Sequence, residues 1–424
     1  MTVNIRKALS ENRWIATVVV FFSLVGPGII TGSVDNDAGG ITTYSVAGAM
    51  YGYKLLWVLI PSFFVLVVVQ EMNARMGMVT GKGLADLIRE NFGVKVTALI
   101  FVFLLVADIG NTATEFAGIA GSMNVFGISK YLSVPIAAIG IWLFVTRGSY
   151  KSAEKIFLLM SFFLLSYVIS TVMSKPDWAS IGSSFVHPDL EWNPGYFTMV
   201  LGIIGTTIAP WMQFYMQSAV IEKGLKIDTY RYTLADVILG SVITVVVAFF
   251  IIVACAASLH VSGVHITEAK DAAMALKPLA GAIASEVFAL GLLVASLFSA
   301  IILPLATAFY ICEAFGFEAG ISRKIHEAPQ FYGLLFFIIV ISVLIILVPG
   351  APLIEITIWS QVLNAILLPI VLVSMFVIVN KVKVMGEHRN NPVQNIFGVV
   401  TVVVLVGLSM MLFVSPLISL IRGK

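Results

Sequence analysis

Charge is what this chain has least of. Lys, Arg, Asp and Glu together make up 11% of its 424 residues, while 59% are hydrophobic. Soluble domains carry about 25% charged residues, so an ordinary soluble fold is excluded. Cysteine and histidine are also scarce, at two and five. Cys255 and Cys312 both lie inside apolar runs, which favours small hydrophobes over a bridge or metal site. His187, His260, His265, His326 and His388 are scattered, and none is placed to bind a metal at membrane depth. There is no HExxH, no GxSxG and no glycine-rich loop ending in Gly-Lys-Ser/Thr, so no enzymatic reading finds a motif. No basic run points to nucleic acid, and the net charge of +2 selects no partner. A cleavable signal is not expected, because Arg6, Lys7 and Arg13 precede a span too long and too broken for one.

What the chain has instead is repeated apolar runs of about 20 residues, each long enough to cross a bilayer. We count eleven, near 14–50, 54–77, 95–122, 131–147, 153–174, 195–222, 232–259, 280–315, 331–348, 353–380 and 396–420. The pattern specifies an all-α polytopic membrane protein whose environment is the lipid bilayer. Between the second and third spans, Lys82 to Phe92 is short and amphipathic, and is expected to lie at the interface. With the N-terminus in the cytoplasm, only Lys54, Lys130, Lys175, Lys270, Lys277, Arg422 and Lys424 of the 25 Lys and Arg fall outside. That bias follows the positive-inside rule, and the odd span count puts the C-terminus outside. The outer loops, Lys175 to Pro194 and His260 to Pro278, carry acids and histidines that read as solvated loops or as loose collectors of cations.

Two spans are broken. In the first, Gly26-Pro27-Gly28 runs into Asp35-Asn36-Asp37-Ala38-Gly39-Gly40. Charge at membrane depth is expensive and must face a cavity or the bundle interior. The glycines let the backbone leave the helix there. In the sixth, Gly202 through Trp211 places glycines, Thr206-Thr207 and Pro210 mid-membrane. Proline removes a donor and frees the carbonyl four residues back, that of Thr206. Breaks in the first and sixth spans occupy corresponding places in two five-helix halves, the pointer to an inverted-repeat transporter with its site at the midplane. The halves would be 1–174 and 195–380, with 396–420 as an addition.

Other polar groups lie at depth. Asp108, Asn111 and Glu115 share one face of the third span, at spacings of three and four. They read either as a hydrogen-bonding face between helices or as an ion or proton path. Asp236 and Glu286 sit near span ends and are expected to be interfacial, as are Glu313 and Glu355. Ser360, Gln361 and Asn364 lie deeper in the tenth span, as amide ligands or helix bridges.

These residues resemble a known family. Gly26-Pro27-Gly28 with Asp37-Ala38-Gly39-Gly40 is similar to the first-span GP…DPGN signature of the NRAMP divalent-metal transporters. Thr206-Thr207-Ile208-Ala209-Pro210 stands at that family's sixth-span ATVMPH, and Ser360-Gln361-Val362 with Leu368-Pro369 at its tenth-span SQV…LP. The resemblance implies a LeuT-type fold of two inverted repeats plus an eleventh span. It makes Asp37 the metal carboxylate and puts Gly40 at the place of a ligating Asn. It makes Thr206 a carbonyl ligand, Ala209 the replacement of a methionine, Gln361 a polar ligand and Val34 a lining position. Asp35, Asp108, Glu115 and Gln213 are candidates for an ion or proton path.

The departures bear on the ion. Losing the thioether at 209 and the amide at 40 leaves oxygen ligands in a roomier cavity, which suits Mg²⁺, Mn²⁺ or Ca²⁺ over softer metals. The pattern therefore resembles most the NRAMP-related magnesium transporters. The expected substrates are Mg²⁺ and also Mn²⁺, with no cofactor and no obligate protein partner, at a bacterial cell membrane. Trp211 replaces the family's sixth-span histidine, and the third-span acidic pair is reduced to Glu115 and Thr112. The ninth span carries no charge, so proton coupling is not expected. The alternative is a cation-coupled symporter of an amino acid or other small organic solute on the same fold. Asp37 would repel its carboxylate.

Overall fold

A computed structural model describes residues 26–147, 165–263, 266, 277–320 and 323–421. The start of the first span with Arg6, Lys7 and Arg13 lies outside the described residues. So do most of the fifth span with Lys151 and Lys155, as well as His265, Glu268, Lys270, Asp271, Arg422 and Lys424.

The described residues are helical, without strands. In lipid the backbone has no water to bond, so long apolar runs close their hydrogen bonds within helices. The first half holds α1 (Pro27–Val34), α2 (Ala38–Tyr51), α3 (Leu59–Thr80), α4 (Leu84–Phe92), α5 (Val94–Val125), α6 (Lys130–Arg147) and α7 (Leu165–Met173). After α8 (Trp178–Val186) come α9 (Pro194–Thr207), α10 (Pro210–Glu222), α11 (Tyr230–Cys255) and α12 (Lys277–Phe315). The chain continues through α13 (Pro329–Leu347), α14 (Leu353–Val379) and α15 (Pro392–Ile421). Nine helical stretches among the described residues are long and apolar enough to cross a membrane. They coincide with the expected second to fourth and sixth to eleventh spans. Of the first and fifth spans only α1–α2 and α7 are described.

Packing is closest where side chains are smallest. A Cβ on Gly28 would lie 2.6 Å from the Asp236 carbonyl oxygen, and one on Gly240 would overlap the Gly28 carbonyl. The hydroxyl of Thr244 donates to the Gly32 carbonyl at 2.8 Å. So α1 and α11 meet backbone to backbone, as small residues four apart allow in membranes.

Asp236 corrects an expectation. It is fully buried, not interfacial. Its carboxylate accepts from the backbone N–H groups of Gly26, Gly28 and Ile29 at 3.2, 2.7 and 3.2 Å. These N–H groups have no partner within the helix, and the helix dipole favours an anion there. Pro27 at the first helical position removes a donor that needs no partner. Replacing Asp236 by Ala strands three buried donors, at about 1–3 kcal/mol for each group left unsatisfied. Thermal melting in detergent is expected to drop clearly for Asp236→Ala and less for Asp236→Asn, which keeps one acceptor.

The α4 helix buries Leu84, Ala85, Leu87 and Ile88 against the bundle, leaves the Lys82–Glu90 pair (2.6 Å) exposed and holds the Arg89–Asp86 pair (3.0 Å) half-buried. At one end of the bundle Lys54 pairs with Asp189 and Glu191, both at 2.8 Å. The lysine ammonium holds the Glu191 carboxyl below its ordinary range. His260, expected at the start of a solvated or loosely cation-collecting loop, is fixed to the bundle. Its Nδ1 lies 3.0 Å from the Ala49 carbonyl, and its ring covers Gly52, which takes a φ of +57°.

Candidate metal centre

The site forms where two helices stop. Helix α1 ends at Val34, and Asp35 and Asn36 lead to Asp37, whose extended backbone (φ −75°, ψ −176°) caps α2. Asp37 Oδ1 accepts from the Gly40 N–H at 2.6 Å, the bond an N-cap residue makes. In the second break α9 ends at Thr207, Ile208 and Ala209 leave the helical region, and Pro210 opens α10. Pro210 therefore starts a new helix and does not kink a continuous one. The last carbonyls of α9, that of Thr206 included, have no following helical N–H to accept.

The two breaks meet at the glycine pair. A Cβ on Gly40 would sit 2.8 Å from the Asp35 carbonyl, 3.1 Å from Thr206 Oγ1 and 3.4 Å from the Tyr44 ring. A Cβ on Gly39 would overlap Gln361 Nε2 and sit 3.0 Å from Asp37 Oδ1. Asp37, Gly40, Thr206 and Gln361 are thus brought together, with Asp37 only 5% exposed. Gly40 is more than a lost amide, because the Asp35 carbonyl occupies the space a side chain would need.

The other expected site residues stand differently. The Val34 carbonyl accepts from the Ser299 hydroxyl at 3.3 Å. The Ala209 carbonyl accepts from Gln213 Nε2 at 3.2 Å, and Gln213 Oε1 accepts from Asn73 at 2.5 Å. Gln213 is therefore a bridge between α10 and α3. Asp108 accepts from Asn111 (3.1 Å), Thr307 (2.9 Å) and the Tyr310 hydroxyl. The last two of these bonds tie α5 to α12. Glu115 reaches the break itself: its Oε2 accepts from the Ala38 N–H at 3.1 Å, one residue after Asp37.

Sequence reasoning missed Tyr44, whose hydroxyl lies 2.8 Å from Thr207 Oγ1 and ties the two breaks together. Its register two turns along α2 carried no signal, because its partner is 163 residues away. Gln361 is held by Asn364, which donates to its Oε1 at 2.9 Å. Asn111 Oδ1 gathers Ser360 (2.7 Å) and Asn364 (3.0 Å) behind it. This network presents the amide nitrogen of Gln361 toward Gly39.

No cation joins the acids Asp35, Asp37 and Glu115 among the described residues, although all three are buried. Among the described residues no three His, Cys, Asp or Glu side chains converge as a closed metal site would require. What the centre offers is carboxylate, hydroxyl, amide and backbone carbonyl, the ligands of hard cations. A separate cavity of about 430 Å³ lies between α4, α10 and α12, lined by Gly83, Asp86, Ser218, Glu313 and Arg323 among others.

Two helices broken at mid-membrane around a buried acidic centre define a multi-pass membrane protein of the LeuT-type transporter fold. The chain belongs to the Nramp family: residues 28–415 match the model for natural resistance-associated macrophage protein-like sequences. It is 29% identical over 411 residues to a divalent metal cation transporter MntH of Yersinia pestis (strain Pestoides F), covering 93% of this chain and 95% of the relative. The MntH of Yersinia enterocolitica is 28% identical over 409 residues, with the same coverage. Among solved structures, an Eremococcus coleocola manganese transporter in complex with an aromatic bis-isothiourea compound superposes with a TM-score of 0.75 at 21% identity, over 95% of this chain and 87% of that one. Mhp1, a nucleobase-cation-symport-1 family transporter, matches with a TM-score of 0.59 at 11% identity, over 92% of each chain. Both likenesses are of fold.

Proposed function

We propose that this chain is a secondary transporter for hard divalent cations, chiefly Mg²⁺ and also Mn²⁺, working by alternating access without proton coupling. Divalent metal transport follows from family membership and from relatives named for that activity. The finer reading rests on one observation above all. The residues around Asp37 are oxygen donors, with Ala209 in the second break and no room for a side chain at Gly40. Without a thioether the centre loses its preference for soft metals. Mg²⁺ sheds water reluctantly, so a site short of protein ligands suits an ion that keeps part of its shell.

Uncoupled transport is supported by what surrounds the centre. Helix α13 carries no charged residue, Trp211 is buried beside the second break, and Asp108 is held by three donors. The membrane potential alone supplies about 4.6 kcal/mol for a divalent ion at 100 mV. We take the N-terminus as cytoplasmic in a bacterial cell membrane, with 1–174 and 195–380 as the inverted repeats. The organic-solute reading is disfavoured, because Asp35 and Asp37 would repel a substrate carboxylate.

Proteoliposomes loaded with a Mg²⁺ indicator and a pH dye test this. A negative-inside potassium diffusion potential is expected to drive Mg²⁺ and Mn²⁺ entry with no change in lumenal pH. Metal-dependent acidification, or Fe²⁺ and Cd²⁺ binding far tighter than Mg²⁺ by calorimetry, would overturn it.

A further inference from the structure

Asp35 is the residue that neither the family signature nor the fold accounts for. It stands at the C-terminal end of α1, 1% exposed, and neither of its carboxylate oxygens has a hydrogen-bond partner. The other buried acids of the two breaks are engaged. Asp236 takes three backbone N–H groups, Asp37 takes one, and Glu115 takes one on Oε2. A carboxylate without donors at membrane depth is among the most unfavourable groups a fold can hold. Such a group is tolerated where it meets water or a cation.

Its backbone is fixed at both ends. The Asp35 N–H donates to the Thr31 carbonyl at 3.1 Å, and the Asp35 carbonyl lies against Gly40. Through Gly40 the residue stands beside Thr206 and the Tyr44 ring, at the same centre. Nearby on the same turn, Ser33 Oγ and Asn36 Oδ1 are also buried without partners. The first break therefore carries a patch of idle oxygen acceptors beside the proposed ion ligand.

We propose that Asp35 is a second carboxylate of the transport site, one that holds the ion through its waters and not by direct ligation. This rests on the reading of the chain as a Mg²⁺ carrier. Asp37 has one oxygen pinned by Gly40 and is set to touch the ion. Asp35 has two free acceptors and suits the hydrogens of metal-bound water. Water-mediated grip also selects the ion: Mg²⁺ keeps its shell where softer ions surrender theirs.

The test is calorimetric titration of purified Asp35→Asn and wild-type protein with Mg²⁺ and Mn²⁺, alongside thermal melting in chelator. Asn keeps the shape and loses the charge. Mg²⁺ affinity is expected to fall at least about tenfold, since charge-assisted bonds to the shell are lost. Mn²⁺ affinity should fall less. Melting in chelator should stay close to wild type, because Asn keeps the shape and the Asp35 carboxylate has no hydrogen bond to lose, while the stabilisation that added Mg²⁺ brings should shrink. A merely structural Asp35 would lower melting in chelator and leave the Mg²⁺-induced stabilisation unchanged. Unchanged Mg²⁺ affinity overturns the proposal, and so does an equal loss for both ions, which marks a direct ligand. Wild-type protein that binds no Mg²⁺ sinks the carrier reading, and this inference with it.

Discussion

Asp37→Asn is expected to reduce Mg²⁺ and Mn²⁺ uptake to the level of empty liposomes while leaving thermal stability close to wild type. The two halves of that result come from two jobs of one side chain. As a cap, Asp37 Oδ1 accepts from the Gly40 N–H at 2.6 Å and starts α2. Asn caps about as well as Asp, so the break should keep its shape. As a ligand, Asp37 supplies charge, and an amide cannot replace that against a divalent ion in a low-dielectric site. Asp37→Ala removes both functions and should also lose about 1 kcal/mol of helix-capping stability. Uptake by Asp37→Asn at more than a tenth of the wild-type rate would remove Asp37 from the centre.

The same residue shows what could be read from sequence and what could not. Local chemistry was legible. Acids, glycines and a proline inside apolar runs marked both breaks, and the structure sets them within contact at Gly40 and Thr206. What depends on a partner far along the chain was not. Asp236 read as interfacial because nothing near it in sequence asks for an anion. The three N–H groups it serves belong to α1, more than 200 residues away. Asp108 read equally well as ion path or helix bridge, and the Thr307 and Tyr310 hydroxyls that it accepts from lie on α12, about 200 residues away. Gly40 read as a missing ligand. It is also a steric requirement, which a residue type alone does not reveal, because the obstructing atom is the backbone carbonyl of Asp35.

Gly205→Ala is expected to destabilise the protein and abolish transport, although it adds a single methyl group. Sequence marks Gly202 and Gly205 alike as glycines ahead of the second break, but the structure separates them. A Cβ on Gly205 would overlap the carbonyl oxygen of Gln361 and sit 2.8 Å from the Ala365 nitrogen and 3.0 Å from its Cβ. The two nearest of those atoms are backbone, so no rotamer change relieves the clash. Helix α9 must move away from α14, with an overpacking cost of about 1–3 kcal/mol. The movement falls on the centre, because Thr206 follows Gly205 directly and Gln361 is the residue displaced. A Cβ on Gly202, by contrast, meets only the Thr43 methyl group, at 3.3 Å. Gly202→Ala is therefore expected to melt and transport near wild type. Gly205→Ala should melt several degrees lower and carry Mg²⁺ at least about tenfold more slowly, since small misplacements of site groups cost large factors in rate. Equal behaviour of the two variants in proteoliposome uptake would show that close contact of α9 and α14 does not set the geometry of the ion site.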